Sequence, residues 1–261
     1  MATQIITNLA VEIEGEGAAI VCVHGLGGSS NTWTPLLPVM QGYRVVRIDL
    51  PGSGRSANAD SALSIAQMVE AVAAVCRHLG IASAHFIGHS MGTIVCQHLA
   101  VRYPQLVLSL ALFGPLTCPP DAARPNIIAR AAKAGSGGLP AMQEIADAIV
   151  TAATSQETRA EQPAAVALVR ESVMRQSPQG YAQSCLALAS AQSAAIERIG
   201  VPTLLVTGDQ DGVAPVSAVQ EMAARIRSSR VVVLTGCGHW PTFEKPGHCG
   251  AELNSFLRMA A

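Results

Sequence analysis

Gly88-His89-Ser90-Met91-Gly92 carries the strongest signal in this 261-residue chain. It follows a short apolar run at 84–87, which predicts a strand, and opens a helical pattern at 91–103. A nucleophilic serine on a tight strand-to-helix turn has a strained backbone, and side chains two residues either side would collide. The two glycines therefore fit a nucleophile at position 90, where the helix N-terminus also favours developing negative charge.

Apolar runs and helical patterns alternate on both sides of this turn. Strands are predicted at 18–23, 43–48, 84–87, 107–113, 203–207 and 231–234, and helices at 64–79, 91–103, 215–226 and 247–259. Several strands are apolar at nearly every position, as expected when helices cover both faces of a parallel sheet. The sequence therefore predicts an α/β fold with a mainly parallel, doubly wound sheet.

The alternation stops between residues 117 and 196, where alanine-rich helical stretches are separated by glycines and prolines. This segment is too rich in hydrophobic residues for a disordered linker. We interpret it as a helical cap inserted into a core formed by residues 1–116 and 197–261.

Composition limits the function classes. Hydrophobic residues make up 49% of the chain and the formal net charge is −1, which argues against a nucleic-acid partner. No apolar stretch is long enough for a membrane helix, and the first ten residues do not resemble a secretory signal. The seven cysteines form no C-x-x-C pair or zinc spacing, so we expect reduced thiols in a cytoplasmic protein without a metal site. Nothing in the sequence indicates an oligomeric state.

A serine hydroxyl needs a neighbouring base, and His239 is the best candidate among seven histidines. It lies in Gly238-His239-Trp240, directly after the last predicted strand, where a loop can bring the imidazole over the carboxyl edge of the sheet. We interpret His24 as a structural residue. We expect His89 to line the pocket or to form a hydrogen bond with the backbone.

The base in turn needs a carboxylate that fixes its tautomer and stabilises the imidazolium. Asp209 and Asp211 both follow the strand predicted at 203–207. We favour Asp211, with Asp209 as the alternative. The order Ser90, Asp211, His239 along the chain is the order given for α/β-hydrolases.

An oxyanion hole would complete the site. One donor is expected to be the amide of Met91, which follows the nucleophile, and the other the amide of Leu26 in the turn 24–28. Gly25 is placed in the pocket with His89 and Trp240. The stretch 49–56 is interpreted as a structural turn in which Asp49 accepts hydrogen bonds from loop amides.

Five blocks of the chain resemble the α/β-hydrolase superfamily in order and spacing: 24–28, 49–56, 88–92, 208–215 and 238–241. The resemblance implies the α/β-hydrolase fold, with Ser90, Asp211 and His239 as catalytic triad and the amides of Leu26 and Met91 as oxyanion hole. Epoxide hydrolases and haloalkane dehalogenases of this superfamily carry aspartate where this chain has serine, so their reactions are not expected.

Two shorter stretches resemble particular subfamilies. Residues 177–182, with the modest cap, are similar to 3-oxoadipate enol-lactonases. Residues 237–240 resemble the carbon–carbon hydrolases that follow aromatic meta-cleavage, although those usually have asparagine where this chain has His89. The resemblance implies a role in aromatic catabolism.

The expected activity is cofactor-independent hydrolysis of a small carboxylic ester or lactone through an acyl-enzyme, with no metal. Carbon–carbon hydrolysis, perhydrolysis and slow-turnover ligand binding on the same fold remain alternatives. Trp240 is expected either to form an aromatic wall or, like Trp33, to be a core residue. Among the cap arginines, Arg130, Arg170 and Arg175 are candidates for binding a substrate carboxylate.

Overall fold

The computed structural model describes residues 2–59 and 62–260. Its centre is an eight-stranded sheet in the order β1-β2-β4-β3-β5-β6-β7-β8. The strands are β1 (Ala2–Ile6), β2 (Leu9–Glu14), β3 (Ala19–Val23), β4 (Arg44–Ile48), β5 (Ala84–His89), β6 (Val107–Phe113), β7 (Thr203–Gly208) and β8 (Ser229–Leu234). Strands β3 to β8 are parallel, and β1 and β2 join one edge antiparallel.

All six predicted strands are present, with ends shifted by at most two residues. The sequence did not predict the hairpin of β1 and β2. Charged residues interrupt β2, and one of them, Glu12, is buried with its Oε2 2.7 Å from Arg47 Nη2 on the neighbouring strand β4. An ion pair inside the sheet thus replaced the apolar alternation by which a strand is normally recognised.

Helices cover both faces of the sheet, as the apolar strands predicted. They are α1 (Ile65–His78), α2 (Met91–Arg102), α7 (Val216–Arg225), α8 (Pro241–Glu244) and α9 (Pro246–Ala260). Alternate residues of β3 face different cores: Val21 packs in the cluster that contains α1 and α2, and Cys22 packs in the cluster that contains α9. The mainly parallel, doubly wound α/β fold is therefore confirmed.

Four α-helices lie between β6 and β7, in the segment interpreted from sequence as a cap. They are α3 (Arg124–Ala153), α4 (Gln156–Glu161), α5 (Pro163–Met174) and α6 (Pro178–Ala189). Helix α3 is two helical arms joined at Gly138, whose φ of 58° and ψ of −146° break the helix. The arms are held together by Lys133 and Glu144, with Nζ 2.7 Å from Oε2. Within the described residues, no helix combines the length and apolarity that a membrane crossing requires.

Candidate active site

Ser90 lies at the turn between β5 and α2 with a φ of 49° and a ψ of −120°. This left-handed conformation is costly for any residue other than glycine. The flanking glycines are needed for the close packing of the turn. A Cβ on Gly88 would lie 2.9 Å from the carbonyl oxygen of Gly92, and a Cβ on Gly92 would lie 2.2 Å from that of Val23. The turn thus holds the hydroxyl of Ser90 at the carboxyl edge of the sheet.

His239 lies between Ser90 and Asp211, although it is 149 residues away from the serine in the chain. Its Nε2 is 2.8 Å from Ser90 Oγ, and its Nδ1 is 2.8 Å from Asp211 Oδ2. Because a carboxylate only accepts, Nδ1 carries the proton and Nε2 is free to accept the serine hydroxyl proton. The arrangement has the geometry that general-base activation of a hydroxyl requires.

The carboxylate of Asp211 is buried and well bonded. Its Oδ1 accepts the amides of Val213 and Ala214, both at 2.8 Å. Burial on its own would raise the pKa of Asp211, but the facing His239 and these hydrogen bonds hold it below its usual value. The alternative acid, Asp209, instead accepts the amide of Cys237 at 3.2 Å. Of the two candidates, Asp211 is therefore the one at the histidine.

His89 and Trp240 both surround His239. The ring of His89 bonds the carbonyl oxygen of His239 from Nε2 at 2.7 Å and stands 5.0 Å from the ring of Trp240, centroid to centroid. Trp240 is almost fully buried but still forms part of the cavity wall. Trp33 lies elsewhere, packed edge-on against Phe113 in the core under α9. Trp240 is thus both a wall and a core residue, and Trp33 only the latter.

The glycine-rich turn at 24–28 packs directly against the nucleophile. A Cβ on Gly25 would lie 2.7 Å from Ser90 Cβ, so a side chain cannot be accommodated there. Leu26 forms part of the cavity wall beside Ser90, and Met91 begins α2. Their amides remain the proposed oxyanion donors.

Two buried residues of this turn region are structural, as the sequence suggested. His24 bonds the Leu50 amide through Nε2 and the Gly25 carbonyl through Nδ1. Asp49 accepts the amides of Ser30 at 2.6 Å and Arg55 at 3.0 Å.

Gly114 was not among the residues expected at the site. It follows β6 with a φ of 55°, and a Cβ there would lie 2.9 Å from His239 Nδ1. The only signal in the sequence was a glycine directly after a predicted strand at the same sheet edge. Glu244, which accepts the amides on either side of His239, was also not expected at the site.

A cavity of about 550 Å³ opens above Ser90 and His239, between the sheet edge and the inserted helices. Its wall is mainly apolar and comes largely from α3. The charged side chains in it are Arg130, Lys133 and Glu144. Besides these and the site residues, the lining includes Leu116, Pro119, Pro120, Ala123, Asn126, Ile127, Ala129, Ile145, Ala148, Ile149, Ala152, Ala153, Leu188, Gly212 and Val213.

The three candidate arginines have different surroundings. Arg130 lines the cavity. Arg170 pairs instead with Asp147, with Nε 2.5 Å from Oδ1, and Arg175 borders a small surface pocket near Asp49. Neither lines the cavity above Ser90, so the expectation for these two is not met. Helical periodicity alone could not reveal which arginine faces inward, because it does not show against which part of the fold each helix packs.

Residues 18–246 match the sequence model of the alpha/beta hydrolase fold family. The chain therefore belongs to this family. The resemblance inferred from the five sequence blocks is confirmed.

The individual relatives carry names of different activities. The chain is 43% identical over 105 residues to the dihydrolipoyllysine-residue acetyltransferase component of the acetoin cleaving system of Cupriavidus necator, a match covering 40% of this chain but 28% of that protein. It is 30% identical to a Mycobacterium tuberculosis protein named non-heme bromoperoxidase BpoC, over 96% of this chain and 97% of that one. Among solved structures, the enol-lactonase of Burkholderia xenovorans LB400 superposes with a TM-score of 0.90 at 26% identity, covering 98% of this chain and all of that one.

Proposed function

We propose that the protein hydrolyses small carboxylic esters or lactones through an acyl-enzyme on Ser90. The observation that carries the proposal is the continuous hydrogen-bonded chain from Ser90 Oγ through His239 to Asp211, with both distances at 2.8 Å. The similar enol-lactonase structure supports a lactone as the substrate. The reaction as proposed requires neither a metal nor an organic cofactor.

In the proposed reaction, His239 Nε2 takes the proton of Ser90 as Oγ attacks the substrate carbonyl. The amides of Leu26 and Met91 stabilise the resulting oxyanion, and each such donor is typically worth about 3 kcal/mol in the transition state. His239 then protonates the leaving oxygen. Water, deprotonated by the same imidazole, releases the acid and restores Ser90. Throughout the reaction, Asp211 keeps His239 in the tautomer with the proton on Nδ1 and stabilises its imidazolium form.

In this proposal, residues 117–196 act as a cap over a core of residues 1–116 and 197–261, and the cavity between them receives the substrate. A volume of about 550 Å³ is in the range that buries a small ligand nearly completely. Six of the seven thiols are buried, which suits a reducing cytoplasm, and we include that location in the proposal.

Arg130 gives the proposal a more specific substrate. Lys133 and Glu144 neutralise each other in the cavity wall, whereas Arg130 has no carboxylate partner among the described residues. The neighbouring Tyr181 is buried, and this burial raises its pKa, so its hydroxyl supplies no negative charge. A guanidinium in a mainly apolar cavity favours an anion. We therefore propose a lactone or ester that also carries a free carboxylate.

The test is a panel of lactones and short p-nitrophenyl esters, in matched pairs with and without a carboxylate. Purified Ser90→Ala protein serves as the inactive control. Arg130→Met should raise KM for the carboxylate-bearing member by about tenfold or more and leave the neutral member unchanged, because a charged hydrogen bond is worth about 1.5–3 kcal/mol. Turnover of every panel member by Ser90→Ala would refute the proposed function.

A second candidate is perhydrolysis, favoured by the name of the full-length relative BpoC. Here hydrogen peroxide replaces water as the nucleophile that attacks the acyl-enzyme, and the product is a peracid. Product analysis with acetate and peroxide, scored by bromide oxidation, separates the two reactions. Peracid formation faster than ester hydrolysis would favour this second candidate.

A further inference from the structure

The carboxylate of Glu244 is buried next to the loop that carries His239. The residue is 1% exposed. Oε2 accepts the amide of Gly238 at 3.0 Å, and Oε1 accepts the amide of Trp240 at 3.0 Å. These amides lie immediately before and after His239. A single carboxylate therefore holds the chain on both sides of the imidazole.

The same carboxylate also bonds the inserted helices. Oε2 accepts the amide of Ser155 at 2.8 Å and the hydroxyl of Thr158 at 2.9 Å, at the start of α4. The backbone makes a parallel connection, since the amide of His239 donates to the carbonyl of Ala153 at 2.8 Å. The His239 loop and the segment between α3 and α4 thus share a continuous hydrogen-bonded contact.

The packing at this contact leaves no room for a side chain at Gly238. A Cβ on Gly238 would lie 2.7 Å from the carbonyl oxygen of Ala153 and 2.8 Å from the amide nitrogen of Ser155. The backbone of the loop therefore lies directly against the inserted segment, and the carboxylate fills the polar space between them.

We propose that Glu244 is a positioning residue for the reaction. It holds the amides of the residues before and after His239 and joins this loop by hydrogen bonds to the start of α4. The inference rests on the proposed function. A base whose ring must be 2.8 Å from both Ser90 and Asp211 tolerates little movement of its backbone. Glu244 restricts that movement without itself touching the substrate.

Glu244→Gln tests this role at nearly constant volume. A carboxamide has one acceptor oxygen, so whichever way it turns, an N–H group faces a donor on one side. Either the Trp240 amide loses its acceptor, or the Gly238 and Ser155 amides and the Thr158 hydroxyl lose theirs. The control is Glu157→Gln, which breaks the ion pair between Glu157 Oε1 and Lys245 Nζ, 2.6 Å apart. Glu157 is on α4, close to the contact with the His239 loop, but it bonds neither the Gly238 amide nor the Trp240 amide.

Two probes report on Ser90 independently of the natural substrate. The first is p-nitrophenyl acetate turnover, which gives kcat and KM. The second is phosphorylation of Ser90 by diethyl p-nitrophenyl phosphate: the Oγ–P bond forms, the P–O bond to the aryl group breaks, and the serine proton goes to His239. All variants are assayed well below the lowest unfolding temperature, with folding checked by circular dichroism.

The expected result for Glu244→Gln is a loss of about 30-fold or more in kcat and in phosphorylation rate with KM changed less than about threefold, because a misplaced base slows chemistry rather than binding. Glu157→Gln should stay within about twofold of the wild type on both probes, since His239 is undisturbed. Wild-type rates in Glu244→Gln, a loss confined to KM, or an equal loss in Glu157→Gln would overturn the inference.

Glu244→Asp keeps the test decisive if Glu244→Gln does not fold. Aspartate retains the charge but is one methylene shorter, so it cannot reach the Gly238 and Trp240 amides together, and the same thresholds apply to it. A wild-type protein that reacts with neither probe would overturn the proposed function and this inference with it. That outcome differs from a reactive wild type with an equally reactive variant, which overturns the inference alone.

Discussion

The imidazole of His89 donates a hydrogen bond from Nε2 to the carbonyl oxygen of His239 at 2.7 Å. The donor is certain because a carbonyl oxygen can only accept. The other ring nitrogen, Nδ1, is buried and finds no hydrogen-bond partner in the described part of the chain. Burial and the nearby His239 lower the pKa of His89 to about 3. His89 therefore stays neutral when the protein is folded at neutral or mildly acidic pH.

This neutral histidine makes stability depend on pH. In the unfolded chain the same group has a pKa of 6.5, so between about pH 6.5 and 3 the unfolded state binds a proton that the folded state does not. Stability must fall as the pH falls through this window. Glu, Asp and other His groups also contribute to the dependence of stability on pH. A substitution at position 89 removes the contribution of one proton, that of His89.

We expect His89→Gln to reduce the slope of unfolding free energy against pH near pH 5 by about 1.4 kcal/mol per pH unit, the value for one proton. Glutamine can still donate to the His239 carbonyl. The measurement is urea unfolding at several pH values between about 4.5 and 7, a range set by that linkage. His78→Gln, an exposed histidine at the end of α1, is the control. Equal slopes in wild type and His89→Gln would contradict the prediction.

Ser90→Ala should abolish ester turnover and leave the fold intact. Removing Oγ removes the nucleophile, and the turn itself is held by backbone contacts such as that from the Ser90 amide to the Phe113 carbonyl at 3.0 Å. Activity is followed with p-nitrophenyl acetate and folding by circular dichroism. Retained turnover in a protein free of wild-type contamination would refute the nucleophile assignment.

Asp211→Asn should lower the acylation rate by about 10⁴, since an amide facing His239 Nδ1 favours the wrong tautomer, as in serine proteases. Asp209→Asn is the matched control. Asparagine at position 209 keeps an amide oxygen that can accept from the Cys237 amide, and this residue does not face His239, so kcat should change little. Pre-steady-state burst kinetics measure both. The reverse order of effects would assign the acid to Asp209.

The limited volume of the cavity, about 550 Å³, predicts a preference for short acyl chains. We expect kcat/KM to fall steeply beyond about eight acyl carbons, because added methylenes find no more apolar space. Leu188→Ala enlarges the cavity and should raise the longest well-accepted acyl chain by about one or two carbons. Leu186 lies on the exposed side of the same helix α6, so Leu186→Ala should leave the chain-length limit unchanged. An acyl series from acetate to palmitate measures the limit; a maximum at palmitate would indicate a lipase.

The nearly complete prediction of the sheet from sequence reflects how its strands are used. Strands buried on both faces show as apolar runs, and the turns at their carboxyl ends carry Ser90, Asp211 and His239 within a few residues of each strand. Local rules therefore indicated this edge.

What escaped prediction depends on contacts between distant residues. Glu244 is bonded to Ser155 and Thr158, which are 89 and 86 residues away, and in the sequence it resembles any exposed glutamate before a lysine. Arg130 faces a cavity that is also lined by Ser90, Val213 and His239, which are far from it in the chain. Strand β2 contains Glu12, whose partner Arg47 lies on the neighbouring strand β4. In each case the deciding partner is remote in the chain.

The left-handed backbone of Ser90 sets two evolutionary pressures against each other. Selection for stability favours glycine at this position, since only glycine adopts a φ of 49° without strain. Selection for hydrolysis retains the hydroxyl. A descendant of this chain that lost its substrate would be free to exchange residue 90 and gain stability. It would still keep Gly88 and Gly92, because their neighbours exclude a side chain whatever residue stands between them. In sequences related to this one, a third glycine in place of the serine between Gly88 and Gly92, rather than another nucleophile such as aspartate, would therefore mark a former enzyme.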